Sequence, residues 1–269
     1  MIPKKIHYCW LSGDPIPSGL QECIDSWKIM MPDYEIILWD QNKFNIESVL
    51  FVKEACAAKK WAFAADYIRL YALYTEGGIY LDSDVFVTKK LDCFLKYDFF
   101  SSVEFHERTV EQENSSLLLN EHGFSKIPGT SIPGIGIQAA VIGSIKKNFF
   151  IKECLGYYDS RHFILESGAY HDNPIAPGIM AMSAEKYGFK YIDKEQYIGN
   201  NSIILPSVVF SGQNNYDPTK TYAIHYCAGS WRERNKLKKL LTKLKNNSYI
   251  RNLFNKSQLD LSHKIKSDM

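Results

Sequence analysis

The chain has 269 residues, of which 45% are hydrophobic and 14% aromatic, enough apolar matter for a packed core and too much for a disordered chain. Its 32 basic and 30 acidic residues leave a net charge of +2, so bulk charge does not point to nucleic acid as a partner. The six cysteines are scattered without C-x-x-C spacing, which argues against a zinc site or a thioredoxin-like motif. No apolar stretch approaches the ~18 residues of a membrane span, and the first residues lack the apolar run of an export signal. The expectation is a cytoplasmic protein with reduced thiols. At roughly 150 residues per domain, the length suggests one large domain, with or without a small appendage.

Residues 5–10 read as a first strand ending in the turn cluster Leu11-Ser12-Gly13-Asp14-Pro15. A helix follows over about 19–31, stopped by Pro32, and then a largely apolar strand over 35–40. Residues 52–76, rich in alanine and other helix formers, predict one long helix closing at Gly77-Gly78, where glycine accepts the left-handed conformation of a helix end. Ile79-Tyr80-Leu81 resumes as strand and delivers Asp82-Ser83-Asp84. This alternation implies an α/β fold with right-handed crossovers and a mostly parallel sheet flanked by helices.

Further strands are predicted over 97–103, 137–143, 203–205 and 221–226, and helices over 147–158 and 175–187. Residues 104–136 are polar, contain glycine and proline and lack periodicity, which fits either a functional loop or a variable insertion. From Arg232 to Lys256 the only acidic residue is Glu233, and Leu237, Leu240, Leu241 and Leu244 recur at helical spacing. That pattern predicts a basic amphipathic helix, either packed on the domain or held at an anionic membrane surface.

Asp82 and Asp84 stand two apart at the C-terminal end of a strand. In a continuous strand both carboxylates would point the same way, into the crevice where open parallel sheets bind ligands. Two hard oxygen donors there suit Mg²⁺ or Mn²⁺; the alternative is an ordinary turn with a cap. Asp66 and Arg69, three apart on the long helix, share a face and form either a surface ion pair or a clamp on sugar hydroxyls. Trp10 ends the first strand at the same edge, as core or as a stacking platform for a base. His225 could add a third metal ligand, and Gly229-Ser230-Trp231 could donate to phosphate oxygens. His171-Asp172 is a weaker acid/base candidate, and no G-x-x-x-x-G-K-[ST] or G-x-G-x-x-G motif occurs.

The run Ala64-Ala65-Asp66-Tyr67-Ile68-Arg69-Leu70-Tyr71, followed by Gly77-Gly78-Ile79-Tyr80-Leu81-Asp82-Ser83-Asp84, strongly resembles glycosyltransferase family 32, the DXD-containing sugar transferases. The opening Ile2 to Trp10 and the closing His225 with Gly229-Ser230-Trp231 are similar to that family's ends. The resemblance implies a GT-A domain over 1–231 and a retaining mechanism using a divalent metal, usually Mn²⁺; the basic helical extension read from the composition then occupies 232–269. It implies that Trp10 stacks on the base, that Asp66 and Arg69 bind donor-sugar hydroxyls, and that Asp82 contacts ribose and sugar. By the same likeness Asp84 and His225 hold the metal, while Ser230 and Trp231 hold the diphosphate. Asp82, Asp84 and Arg69 are thus the expected catalytic residues.

The implied donor is a nucleotide-sugar, first a UDP-hexose. The implied acceptor is a saccharide or lipid-linked saccharide of bacterial capsule or surface polysaccharide; the expected location is cytoplasmic, with the basic C-terminal helix offering a contact to the inner membrane surface. Gln138 and Asn173 depart from the patterns of eukaryotic members. A haloacid-dehalogenase phosphatase would place its Asp-x-Asp on the first strand with Thr or Val where Phe86 stands. A catalytically silent carbohydrate-binding protein would have lost donor-side landmarks that are present here.

Overall fold

The structure is a computed structural model, and it describes residues 1–212 and 215–227. Its elements run β1 (Lys5–Cys9), α1 (Ser18–Met30), β2 (Glu35–Trp39), α2 (Leu50–Ala57), α3 (Trp61–Glu76), β3 (Gly78–Leu81), β4 (Val85–Val87) and β5 (Phe99–Phe105). They continue with α4 (Glu107–Gln112), β6 (Ile135–Ile137), β7 (Val141–Ser144), α5 (Phe149–Gly156) and α6 (Ala176–Glu185). The last are β8 (Gln196–Tyr197), β9 (Ser202–Leu205), β10 (Phe210–Gly212) and β11 (Ala223–His225).

The main sheet has the order β2-β1-β3-β7-β5-β9-β8, with β6 paired to β5, and a smaller sheet is ordered β10-β11-β4. β1 lies parallel to both β2 and β3, as the crossovers through α1 and through α2–α3 require. β7 then enters antiparallel between β3 and β5, and β5 pairs parallel with β9. Ile68, Leu73 and Tyr80 join α5 and α6 residues in a core on one face. Ile24, Trp27, Ile79, Leu81 and Phe210 fill the other.

The long helix expected over 52–76 is two helices. Lys59 takes a left-handed φ of 55° and Lys60 φ −93°, ψ 62°, so the chain bends between α2 and α3. The amides of Lys59 and Lys60 donate to the carbonyls of Cys56 and Ala55, closing α2 before α3 begins. The strand expected over 137–143 is likewise divided, with β6 before Gln138 and β7 after Ala140. The basic helix expected beyond Arg232 lies outside the described residues.

His7, fully buried on β1, staples three elements. Its Nε2 donates to the Gly77 carbonyl at 2.8 Å, and its Nδ1 accepts from Trp39 Nε1 at 3.0 Å. That pairing demands the neutral ring, and burial lowers its pKa below the ordinary 6.5 against a smaller opposing pull from the Gly77 carbonyl. A depressed imidazole means the unfolded chain binds the proton first. The contribution of His7 is therefore complete above pH 6.5 and is lost as pH falls below it through the folded value. Urea unfolding between pH 8 and 5 should show a loss approaching ~1.4 kcal/mol per pH unit from this group, and His7→Gln should flatten that limb. Parallel slopes for the two proteins would contradict the assignment.

Candidate functional site

The site forms where β3 ends. α3 turns into β3 through Gly77 (φ 68°) and Gly78 (φ 119°), and added Cβ atoms would lie 2.7 Å from the Lys146 nitrogen and 2.8 Å from the Lys5 carbonyl, respectively. Only glycine fits between those flanking strands. Because the turn is this tight, helix and strand run side by side in opposite directions. Eight residues back along the helix is ~12 Å, and four residues forward along the strand is ~13 Å. Arg69 and Asp82 therefore come level.

Arg69 is 4% exposed, and all three of its guanidinium nitrogens donate hydrogen bonds. It donates to Asp66 Oδ1 at 2.7 Å, to the Ala139 carbonyl at 2.7 Å, to the Ala65 carbonyl at 3.2 Å and to Asp82 at 3.5 Å. The surface-pair alternative for Asp66 and Arg69 is thereby removed: the pair is buried and bridges to the DXD. Tyr80, two residues before Asp82 and so on the same face, donates its hydroxyl to Asp82 Oδ1 at 2.9 Å and stacks under the Arg69 guanidinium at 4.9 Å. Burial pushes Asp66 up to about 7, against the pull of Arg69 and with the neighbouring Asp82 charge adding to the rise.

Asp82 and Asp84 converge through a turn, where a continuous strand was expected. The Val85 amide donates to the Asp82 carbonyl at 2.9 Å, so Ser83 and Asp84 form the corner between β3 and β4. β4 changes sheet and pairs antiparallel with β11, setting His225 opposite Val85 and next to Asp84. α1 anchors the corner: Trp27 Nε1 donates to the Val85 carbonyl at 2.7 Å, and Ser26 Oγ accepts from the Val87 amide at 3.0 Å.

His225 Nε2 lies 3.4 Å from Asp84 Oδ1. Burial alone would lower this imidazole, but the adjoining Asp84 carboxylate outweighs it and holds the pKa well above the ordinary value. One ligand atom each from Asp82, Asp84 and His225 lie within 4.8 Å of one another. Two ligands at ~2.1 Å on opposite sides of an ion span ~4.2 Å, so side-chain rotation of a few tenths of an ångström closes the set. Two carboxylates and an imidazole suit Mn²⁺ or Mg²⁺, and the residues fit such an ion.

Trp10 sits half-buried at the C-terminal end of β1, its indole N–H donating to the Asp14 carbonyl at 2.6 Å. Ser230 and Trp231 lie outside the described residues. His171 pairs with the Tyr157 hydroxyl at 2.9 Å rather than with the carboxylates. Gln138 is buried in a structural role, its amide donating to the Phe210 carbonyl at 3.0 Å. Tyr80 and the Ala139 carbonyl are site groups that sequence reasoning passed over; the spacing of Tyr80 to Asp82 was the available signal.

A family model described as the glycosyltransferase sugar-binding region containing the DXD motif matches residues 17–101, which include Asp66, Arg69, Asp82 and Asp84. Over this segment the chain is similar to the DXD-containing glycosyltransferases. Inositol phosphoceramide mannosyltransferase 3 of Schizosaccharomyces pombe is 36% identical over 104 residues, covering 36% of this chain and 28% of that protein. Mannosyl phosphorylinositol ceramide synthase SUR1 of Saccharomyces cerevisiae is 33% identical over 108 residues, covering 37% of this chain and 27% of that protein. The chain thus matches less than a third of the length of these two relatives.

Among solved structures, the galactosyltransferase LgtC has a TM-score of 0.46 at 13% identity, covering 89% of this chain and 95% of that one. The PaToxG glycosyltransferase has a TM-score of 0.45 at 18% identity, covering 69% of each. The chain's own topology places Asp82-Ser83-Asp84 at the C-terminal edge of a helix-flanked α/β sheet.

Proposed function

We propose that the protein is a retaining glycosyltransferase that moves a hexose from a nucleotide-sugar to a hydroxyl of a saccharide or lipid-linked acceptor. The observation that carries this reading is the convergence of Asp82, Asp84 and His225 beside a buried Asp66–Arg69 pair. A divalent cation bound there would supply Lewis-acid stabilisation of the departing diphosphate.

The chain's own residues do the rest. Arg69, locked by two carbonyls and two carboxylates, fixes Asp66 and Asp82 toward the sugar and adds positive charge close to the reacting centre. Asp66 and Asp82 accept hydrogen bonds from sugar and ribose hydroxyls. Trp10 offers its ring to the base. In a front-face transfer the bond from the anomeric carbon to the phosphate oxygen breaks, and the acceptor oxygen bonds the same face. The acceptor's proton passes to the departing phosphate oxygen, so the enzyme needs no strong base.

The sequence favours a UDP-hexose and surface-polysaccharide synthesis. The yeast relatives, named for transfer of mannose, bring GDP-sugars into the same test. We place the reaction at the cytoplasmic face of a membrane, on the strength of the basic 232–256 sequence. Thermal shifts with UDP-, GDP- and dTDP-sugars, each with and without Mn²⁺ or Mg²⁺, check the reading. One donor class at ~100 Kd should stabilise the protein by ~2.7 kcal/mol only when metal is present. No metal-dependent shift with any donor would overturn it.

A further inference from the structure

Beyond the donor residues lies a polar pair with no structural employment. Glu104 is the penultimate residue of β5, and His106 follows that strand's end. Glu104 Oε1 and His106 Nε2 lie 3.0 Å apart, and among the described residues neither side chain has another hydrogen-bond partner. The Glu104 side chain is 19% exposed and that of His106 53%. A carboxylate has about four acceptor positions; here one is used. The rest of the carboxylate stays open to solvent, and so to the hydroxyls of a ligand.

The pair's place in the fold is specific. β7 and the segment before it lie between β5 and β3, and the Ala139 and Ala140 carbonyls of that segment take hydrogen bonds from Arg69 and the Asp82 amide. Glu104 stands opposite Gly136 on β6. A Cβ on Gly136 would come within 2.8 Å of the Pro177 carbonyl, so β6 rests directly on the start of α6, where the Ala176 amide bonds Asp66. The electrostatics agree: the Glu104 charge raises the pKa of Asp66, while His225 opposes protonation of His106. The pair therefore borders the donor site on the side away from the nucleotide strands β1 and β2. His106 is also the residue from which the 107–134 excursion departs, and its amide donates to the Gly134 carbonyl where the excursion returns.

We propose that Glu104 and His106 form the acceptor contact of the transfer site, hydrogen-bonding hydroxyls of the incoming saccharide and holding it against the donor sugar. This rests on the transferase reading above. A carboxylate that accepts and an imidazole that donates or accepts make a natural grip on a diol, and Glu104 also fixes the orientation of the ring.

The test uses the full chain with ¹³C-labelled histidine, saturated with UDP or GDP and Mg²⁺, whichever nucleotide binds. Methyl α-D-mannoside, methyl α-D-glucoside and methyl β-D-galactoside are titrated while the His106 ring signal, assigned with His106→Gln, is followed. One glycoside should shift that signal saturably. Glu104→Gln should weaken its binding roughly tenfold to a hundredfold, the loss expected for a charged hydrogen bond, with nucleotide affinity changed by less than about twofold. A silent His106 signal with nucleotide bound, or equal glycoside affinity in Glu104→Gln, overturns the acceptor assignment and leaves the donor reading standing. Failure of both nucleotides to bind with Mg²⁺ overturns the donor reading and this one with it.

Discussion

Replacing Asp84 with alanine is expected to lower release of nucleoside diphosphate from a nucleotide-sugar by about a thousandfold or more, on the order of 4 kcal/mol of lost transition-state stabilisation. The geometry sets the size of the effect. Asp84 stands at the corner between β3 and β4, with its carboxylate 3.4 Å from His225 Nε2 and close enough to Asp82 for all three to share one ion. Without it, Asp82 and His225 keep two ligands that cannot by themselves neutralise a pyrophosphate. A chelator should bring wild type down to the level of the variant and leave the variant unchanged, so the two losses are one. His225→Ala should fall between them, because both carboxylates remain. Wild-type turnover in Asp84→Ala under chelator would remove the cation from the mechanism altogether.

Much of this corner could be read in the chain. Strand, helix and strand alternate from Lys5 to Leu81 in stretches long enough for their periodicity to show, and β1, β2 and β3 form the parallel half of the sheet as expected. The Gly77-Gly78 pair marks a helix end, and the count of residues on either side brings Arg69 level with Asp82. What stayed illegible has physical reasons. Strand direction is not written in local pattern, so the antiparallel entry of β7 could not be read from its four apolar-to-small residues. β4 and β10 have three residues each, too few to alternate. The left-handed Lys59 sits between two alanine-rich helices with no glycine to announce it. Asp82 and Asp84 meet at a turn, and the two-residue spacing that suggested a strand serves a turn equally well. Glu104 and His106 open a polar stretch without periodicity, and only the pairing of β5 with β6 brings them to the site.

Arg69 is where the donor site and the stability of the fold become the same interaction. Arg69→Met should destabilise the protein by about 3–5 kcal/mol, because it strands Asp66 and Asp82 with no cation between them and leaves the Ala65 and Ala139 carbonyls unpaired. For a chain of this length the midpoint should fall on the order of 10 °C. Arg69→Lys should recover little, since one ammonium cannot reach four acceptors spread across a helix, a turn and a loop. Asp66 behaves differently. Burial raises its pKa from 3.8 to about 7, so its contribution is complete below pH 3.8 and is lost as pH rises through 7. Asp66→Asn should therefore be mild in stability near neutrality, flatten the loss between pH 4 and 8, and offset part of the damage when combined with Arg69→Met. Donor binding should fail in all four variants, because an amide cannot accept as the carboxylate does and the guanidinium is what aims it. Urea midpoints across pH for the four proteins decide the matter: if Arg69→Lys lies within about 1 kcal/mol of wild type, the fork is not what holds this corner.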